Sequence, residues 1–181
     1  MQSPASPTAW AEPAIGAFRE AMRRLAASVM IVTTRDGEGH PHGMVASSVI
    51  PVSMEPPSML VAVNRGAGLH PALSASGRFC VNLLAGHQHH LLAPFSQTSL
   101  RVERFRSDDW ADAWSLAADR LPWLPQAPAA IECAVDLATD YGTHTLFIGR
   151  VLSVHCPDAT AGAMSPLVWL AGERAALTAT A

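Results

Sequence analysis

Between residues 14 and 27, Ile15, Phe18, Met22 and Leu25 recur at spacings of three and four, with Arg19, Glu20, Arg23 and Arg24 between them. That period puts apolar side chains on one face of a helix and charges on the other. From residue 29 the period changes. Val29, Ile31, Val32, Thr33 and Thr34 make a run rich in β-branched residues that ends at Arg35-Asp36-Gly37-Glu38-Gly39, a sequence suited to a hairpin turn. Residues 43–53 continue extended until Pro56-Pro57, and 58–64 form a nearly continuous apolar strand. Residues 71–76 fit a short helix stopped by Gly77, 79–84 return to strand, and 87–93 fit a second short helix. Residues 101–128 mix acidic residues, tryptophan and proline and read as irregular. Two long strands follow at 131–139 and 144–155, joined by Asp140-Tyr141-Gly142-Thr143, with a last strand at 166–170. Residues 1–13 and 178–181 read as tails, which leaves 14–177 as one domain.

Short strands joined mainly by hairpins disfavour a parallel βαβ sheet. They fit a mainly β fold, a closed or partly closed antiparallel barrel decorated by helices. In the strand at 144–155, Leu146 and Ile148 point one way, Phe147 and Val151 the other. A strand apolar on both faces is covered on both, by the core on one side and a helix or second subunit on the other. A homodimer is therefore expected.

Composition narrows the function classes. The 181 residues suffice for one domain with a real core, and 49% apolar against 15% charged residues excludes a disordered chain. A net charge of −3 provides no overall basic field for nucleic acid. No apolar run approaches the roughly 18 residues of a membrane span, so no membrane association is expected. The first residues lack the cationic start and apolar stretch of a secretory signal. Cys80, Cys133 and Cys156 are odd in number, widely spaced and without a C-x-x-C pair. They read as buried thiols in a reducing cytoplasm.

Several chemistries are missing. Gly66-Ala67-Gly68-Leu69-His70 contains G-x-G without a third glycine, and neither G-x-S-x-G nor H-E-x-x-H occurs. His87 and His90 stand at i, i+3, but no acid or thiol lies nearby in sequence, so a solvated helix start accounts for them and no metal site is expected. His144 differs, because it opens an apolar strand after Tyr141-Gly142-Thr143, where an imidazole can reach a ligand at a barrel rim or simply face solvent.

Linked motifs run in order along most of the chain. They include Phe18-Arg19-x-Ala21-Met22, Val29-x-Ile31-Val32-Thr33-Thr34, Gly43-Met44-x-Ala46-Ser47-Ser48 and Val52-Ser53-Met54-Glu55-Pro56-Pro57. Asn64-Arg65, Ser76-Gly77-Arg78-Phe79-Cys80-Val81-Asn82-Leu83-Leu84, Arg104-Phe105, Glu132-Cys133, His144-x-x-x-Phe147-x-Gly149-x-Val151 and Pro166-Leu167-Val168 complete the series. Together they resemble the flavin reductase-like, FMN-binding split-barrel family, the short-chain reductase components of two-component monooxygenases.

The resemblance implies a six-stranded antiparallel Greek-key split β-barrel with flanking helices and a homodimer with flavin at the subunit interface. It implies NAD(P)H:flavin oxidoreductase activity, with FMN or FAD as flavin, NADH or NADPH as donor, and a monooxygenase component accepting the reduced flavin. Position by position, Gly43, Met44, Val45 and Ala46 line the isoalloxazine, with Ser47 and Ser48 near flavin and nicotinamide. Ala62, Val63, Asn64 and Arg65 lead into the phosphate loop with Gly68 and Leu69. Phe95 matches an aromatic of the flavin pocket and His144 a histidine beside the nicotinamide. The pattern also departs from the family at Val45 and Pro51, and at Gly66, Gly68 and Leu69, where hydroxyl residues are usual. Glycine there would let backbone N–H groups approach phosphate, with Arg65 supplying charge. Two other readings remain at this point: a flavin-binding barrel without reductase turnover, and a flavoenzyme that oxidises a bound substrate.

Overall fold

A computed structural model describes residues 12–112, 120–157 and 165–177. In chain order its elements are α1 (Glu12–Arg23), β1 (Ala27–Ser28), β2 (Met30–Arg35), β3 (Pro41–Ala46), β4 (Val49–Met54), β5 (Pro57–Asn64), α2 (His70–Ser76) and β6 (Arg78–Leu83). A 3₁₀ turn (Gly86–Leu91), α3 (Leu92–Ser96) and a second 3₁₀ turn (Thr98–Glu103) follow, then β7 (Ala129–Tyr141), β8 (His144–His155), β9 (Val168–Leu170) and β10 (Glu173–Ala175).

The large sheet has seven strands in the order β3-β2-β6-β7-β8-β5-β4, and every pair is antiparallel. Its two edges, β3 and β4, are consecutive in the chain and joined by Ser47-Ser48, so the sheet curls round one interior. All seven strands contribute to that interior: Val32 from β2, Ala46 from β3, Val49 from β4, Val61 and Val63 from β5, Phe79 and Val81 from β6, Cys133 from β7 and Phe147 from β8. Leu69 and Leu73, the latter from α2, close one end. Each such buried Val, Leu or Phe contributes about 1.5–3 kcal/mol of transfer free energy. The strand period of two sends neighbouring residues outward. Ile31 and Leu84 join Leu91, Phe95, Phe105 and Trp110 in a second apolar cluster outside the barrel.

Several expectations change. The 43–53 stretch is two strands rather than one, because the chain turns at Ser47-Ser48, so the large sheet of the split barrel counts seven strands. The helix expected at 87–93 is a 3₁₀ turn followed by α3. Pro94 is accommodated there because the first N–H groups of a helix have no intrahelical partner. The last strand is shorter than expected and makes a hairpin with β10, while β9 also pairs with β1. Helix α1 starts at Glu12, two residues before the expected start, and Phe18 and Met22 on its apolar face, with Leu25 just past its end, are exposed, Phe18 by 63%. Cys80 and Cys133 are buried as expected, but Cys156 lies just past β8 and is exposed. The short helix at 71–76 ends as expected, on Gly77 in the left-handed conformation (φ 63°). No helix among the described residues is long and apolar enough to cross a membrane.

Candidate functional site

One rim of the barrel gathers most of the residues singled out in the sequence. Strand β3 runs into the exposed Ser47-Ser48 turn at the open seam between the sheet edges. Ser48 is tied to β5 twice: its carbonyl accepts from Ala62 N–H at 3.0 Å, and its hydroxyl donates to the Ala62 carbonyl at 3.0 Å. Two residues further along β5, Asn64 stands opposite His144 of β8. The turn, the end of β5 and the start of β8 therefore meet although they lie far apart in sequence.

Gly43 is held from behind. A Cβ there would lie 2.6 Å from Phe95 Cε1 and 3.1 Å from Phe105 Cζ, so only glycine lets β3 lie against these rings. Phe95 stacks edge-on with Phe105 at 5.0 Å and tilts against Trp110 at 5.2 Å. The Arg104 guanidinium donates to the Gly43 carbonyl at 3.1 Å and the Pro94 carbonyl at 2.7 Å, and sits 5.6 Å from the Phe95 ring centroid. Burial lowers the Arg104 pKa, and neighbouring Arg101 lowers it further. This group fastens α3 to the back of β3.

The loop after β5 is pinned to the β7–β8 hairpin. Arg65 N–H donates to the Thr143 carbonyl at 3.0 Å, and its guanidinium donates to the carbonyls of Gly142 at 2.7 Å and His144 at 3.4 Å. The same guanidinium lies 3.7 Å from Asp140, an exposed and therefore weak ion pair. Asn64 Oδ1 accepts the Gly66 N–H at 2.8 Å, so that amide is already engaged, while Gly68 faces open space. His144 Nδ1 and the Thr143 hydroxyl are 2.9 Å apart. A cavity of about 470 Å³ opens beside this hairpin, with His70, Phe147, Thr145 and Asp140 in its wall.

The rim thus brings together Ser47, Ser48, Ala62, Asn64, Arg65, Gly68 and His144, whereas on β3 Gly43 is buried, Met44 packs against the barrel core and Val45 against the outer apolar cluster. The side chains of Ala46, Val63 and Leu69 point into the barrel core and offer only backbone to a ligand. Phe95 is only 3% exposed and acts as a buttress to Gly43. Arg104, His70, Thr145 and Asp140 carry the supporting contacts; sequence pattern did not single out these roles, since the partners lie up to 75 residues apart. Away from the rim, His90 Nε2 donates to Asp109 at 3.3 Å. No group of three or more potential metal ligands occurs among the described residues.

A family model described as "Flavin reductase like domain" matches residues 22–178. The chain is 38% identical over 143 residues to "FMN reductase (NADH) RutF" of Stutzerimonas stutzeri, covering 79% of each. It is 40% identical over 144 residues to "FADH(2)-dependent resorcinol hydroxylase, reductase component" of a Rhizobium species, covering 79% of this chain and 78% of the relative. The solved structure of the NADH:FAD oxidoreductase SgcE6 of Streptomyces globisporus, in complex with NAD and FAD fragments, has a TM-score of 0.78 at 26% identity, covering 94% of this chain and 98% of that one. With the antiparallel barrel and a match spanning most of its length, the chain belongs to the flavin reductase-like domain family.

Proposed function

We propose that this protein is a flavin reductase that uses NADH to reduce FMN or FAD and delivers the reduced flavin to an oxygenase. The observation that carries the reading is the convergence of Ser47-Ser48, Asn64-Arg65 and His144, from three separate segments, on one exposed rim. Ser48 and His144 flank β5 on opposite sides, two residues out of step. Strand spacing and rise put them roughly 12 Å apart, a span suited to a flat three-ring system.

The donor set fits a flavin. Gly43 and Ala62 present little side chain, the serines present hydroxyls, and Arg65 presents a cation beside the loop that ends in Gly68. When bound, a flavin supplies the ring that accepts hydride from a reduced nicotinamide. The chain's own task is then positional. Arg104 and Phe95 fix β3 from behind, and Ser48 locks the turn to β5. Arg65 fixes the hairpin that carries His144 beside the nicotinamide. Holding two flat rings at reacting distance requires no nucleophile or acid–base pair.

The rim is open in a single chain, and the second subunit proposed to cover it has a matching surface. Ile50, Leu60, Ile148 and Leu137 stand in register across β4, β5, β8 and β7. The row's outer members, Ile50 and Leu137, are 55% and 52% exposed. A contiguous apolar row of this kind is the signature of an interface, and a homodimer is proposed on it. A cytoplasmic location goes with this reading, since the three cysteines are free thiols and NADH is an intracellular donor.

The test is NADH consumption by purified protein with FMN and with FAD, alongside sedimentation velocity. Turnover that depends on added flavin, from a species of twice the chain mass, is the expected result. Bound flavin without NADH consumption would refute the reductase reading, and a monomer binding flavin at full affinity would refute the shared site.

A further inference from the structure

The contacts between α2 and the β7–β8 hairpin form a chain whose direction is set by hydrogen counting. Thr145 Oγ1 donates to Asp140 Oδ1 at 2.5 Å and lies 2.8 Å from His70 Nε2. A hydroxyl has one hydrogen, and Asp140 receives it. His70 must therefore carry its proton on Nε2 and donate to Thr145. The His70 ring is held against Phe147 with centroids 5.7 Å apart, and Thr145 is buried. Asp140, where the chain ends, also faces the Arg65 guanidinium.

We propose that His70 is a positioning residue for His144, acting through the Thr145 hydroxyl and Asp140 to fix the start of β8. The proposal rests on the reading of His144 as the residue beside the nicotinamide. Thr145 follows His144 and points to the opposite face of the strand. Anchoring Thr145 from within the barrel end therefore sets the backbone from which His144 projects outward. Arg65 grips the same hairpin from the rim side at Gly142, Thr143 and His144. The hairpin is thus held from both faces, and His70 supplies the inner hold.

The test uses the full chain. His70→Phe keeps a ring against Phe147 and deletes the donor. Thr145→Val keeps the side-chain shape and deletes the hydroxyl, and stands in if His70→Phe does not fold. His70→Gln restores an N–H donor. The first readout needs no cofactor: hydrogen exchange at Arg65 N–H, which is bonded to the Thr143 carbonyl. His70→Phe and Thr145→Val are each expected to speed that exchange about tenfold, with partial recovery in His70→Gln. The second readout is NADH turnover, expected to fall about tenfold in kcat for each variant, with flavin Kd changed by less than about twofold. The His70→Phe/Thr145→Val double variant should fall no further, since both delete one link. Wild-type exchange in both variants, multiplying kinetic losses, or a rise in flavin Kd matching the fall in kcat would each overturn the proposal. His144→Ala is the control. If it leaves turnover intact while the exchange effects persist, the reading of His144 fails and the positioning role fails with it, a pattern distinct from failure of the chain itself.

Discussion

Replacing Gly43 by alanine adds one methyl group at the tightest point behind the rim. The new Cβ would lie 2.6 Å from Phe95 Cε1, 2.9 Å from Cδ1 and 3.1 Å from Phe105 Cζ. The Phe95 ring is buried and wedged between Phe105 and Trp110, and Phe105 already has a positive φ of 61°. The rings have little freedom to retreat, so β3 must move instead, straining the Arg104 bond to the Gly43 carbonyl. Overpacking of this kind costs about 1–3 kcal/mol. For a chain of this length that corresponds to roughly 2–12 °C in Tm. Calorimetric melts of Gly43→Ala should show the loss, and flavin titration should show weaker binding because β3 leads into the Ser47-Ser48 turn proposed to face flavin. The decisive comparison adds Phe95→Leu, which removes the obstructing ring atoms. The two substitutions should then cost less together than the sum of their separate costs, by about 0.5–3 kcal/mol. Strictly additive losses would refute the wedge.

Arg65→Ala should weaken flavin binding about fivefold, more at low salt, if its charge faces phosphate. Titrations at low and high ionic strength check this, and equal Kd values in wild type and variant at every salt would remove the contact. The Asp36 carboxyl is held well below the usual range, chiefly by the hydrogen bond from His42 and also by N–H donors from Glu38 and His40. Its folded pKa is depressed, so its stabilisation is present above the unfolded value near about 3.9 and is lost as pH falls towards the folded one. Tm measured downward from about pH 4 should therefore fall less steeply in Asp36→Asn than in wild type; parallel curves would dismiss the effect. Burial raises the Cys80 thiol pKa and pushes Cys133 up to about 12, while Cys156 is exposed. A disulfide reagent should label Cys156 rapidly in the native protein and all three thiols only on unfolding; fast native labelling of Cys80 or Cys133 would contradict the burial.

The parts of the fold legible in the sequence are those that local chemistry decides. Strands β2, β5, β6, β7 and β8 announce themselves by apolar, β-branched or alternating runs, and α2 by its glycine stop. What was not legible depends on partners distant in the chain. Strand β10, Glu173-Arg174-Ala175, has no strand-like composition and exists because β9 offers it backbone pairs. The break at Ser47-Ser48 is invisible in a stretch that reads as extended, yet it puts the two sheet edges side by side. The site divides in the same way. Ser47-Ser48, Asn64-Arg65 and His144 were singled out by position and lie near one another in the fold, whereas the orientations of Leu69 and Phe95 depend on which face of the chain meets the core. The His70–Thr145 bond joins positions 75 apart and leaves no local trace.

In the proposed dimer, the seam between β3 and β4 would tie self-association to ligand binding. Ser48 immediately precedes β4, and Ile50, two residues on, begins the apolar row that crosses four strands. Along this edge Val49 turns inward to the core while Ile50 faces out. A second protomer that covers Ile50 must therefore come within one or two residues of the turn proposed to face flavin. A ligand that touches both chains binds the dimer more tightly than the monomer, and by linkage it must tighten the dimer by the same factor. Diluting the protein below its dimer Kd should weaken flavin affinity, and saturating flavin should lower the dimer Kd in sedimentation equilibrium. Ile50→Lys, which places a charge in the row without touching Ser47, Ser48 or His144, should produce both defects together. Loss of the dimer with flavin affinity unchanged would separate the apolar row from the rim and refute their coupling.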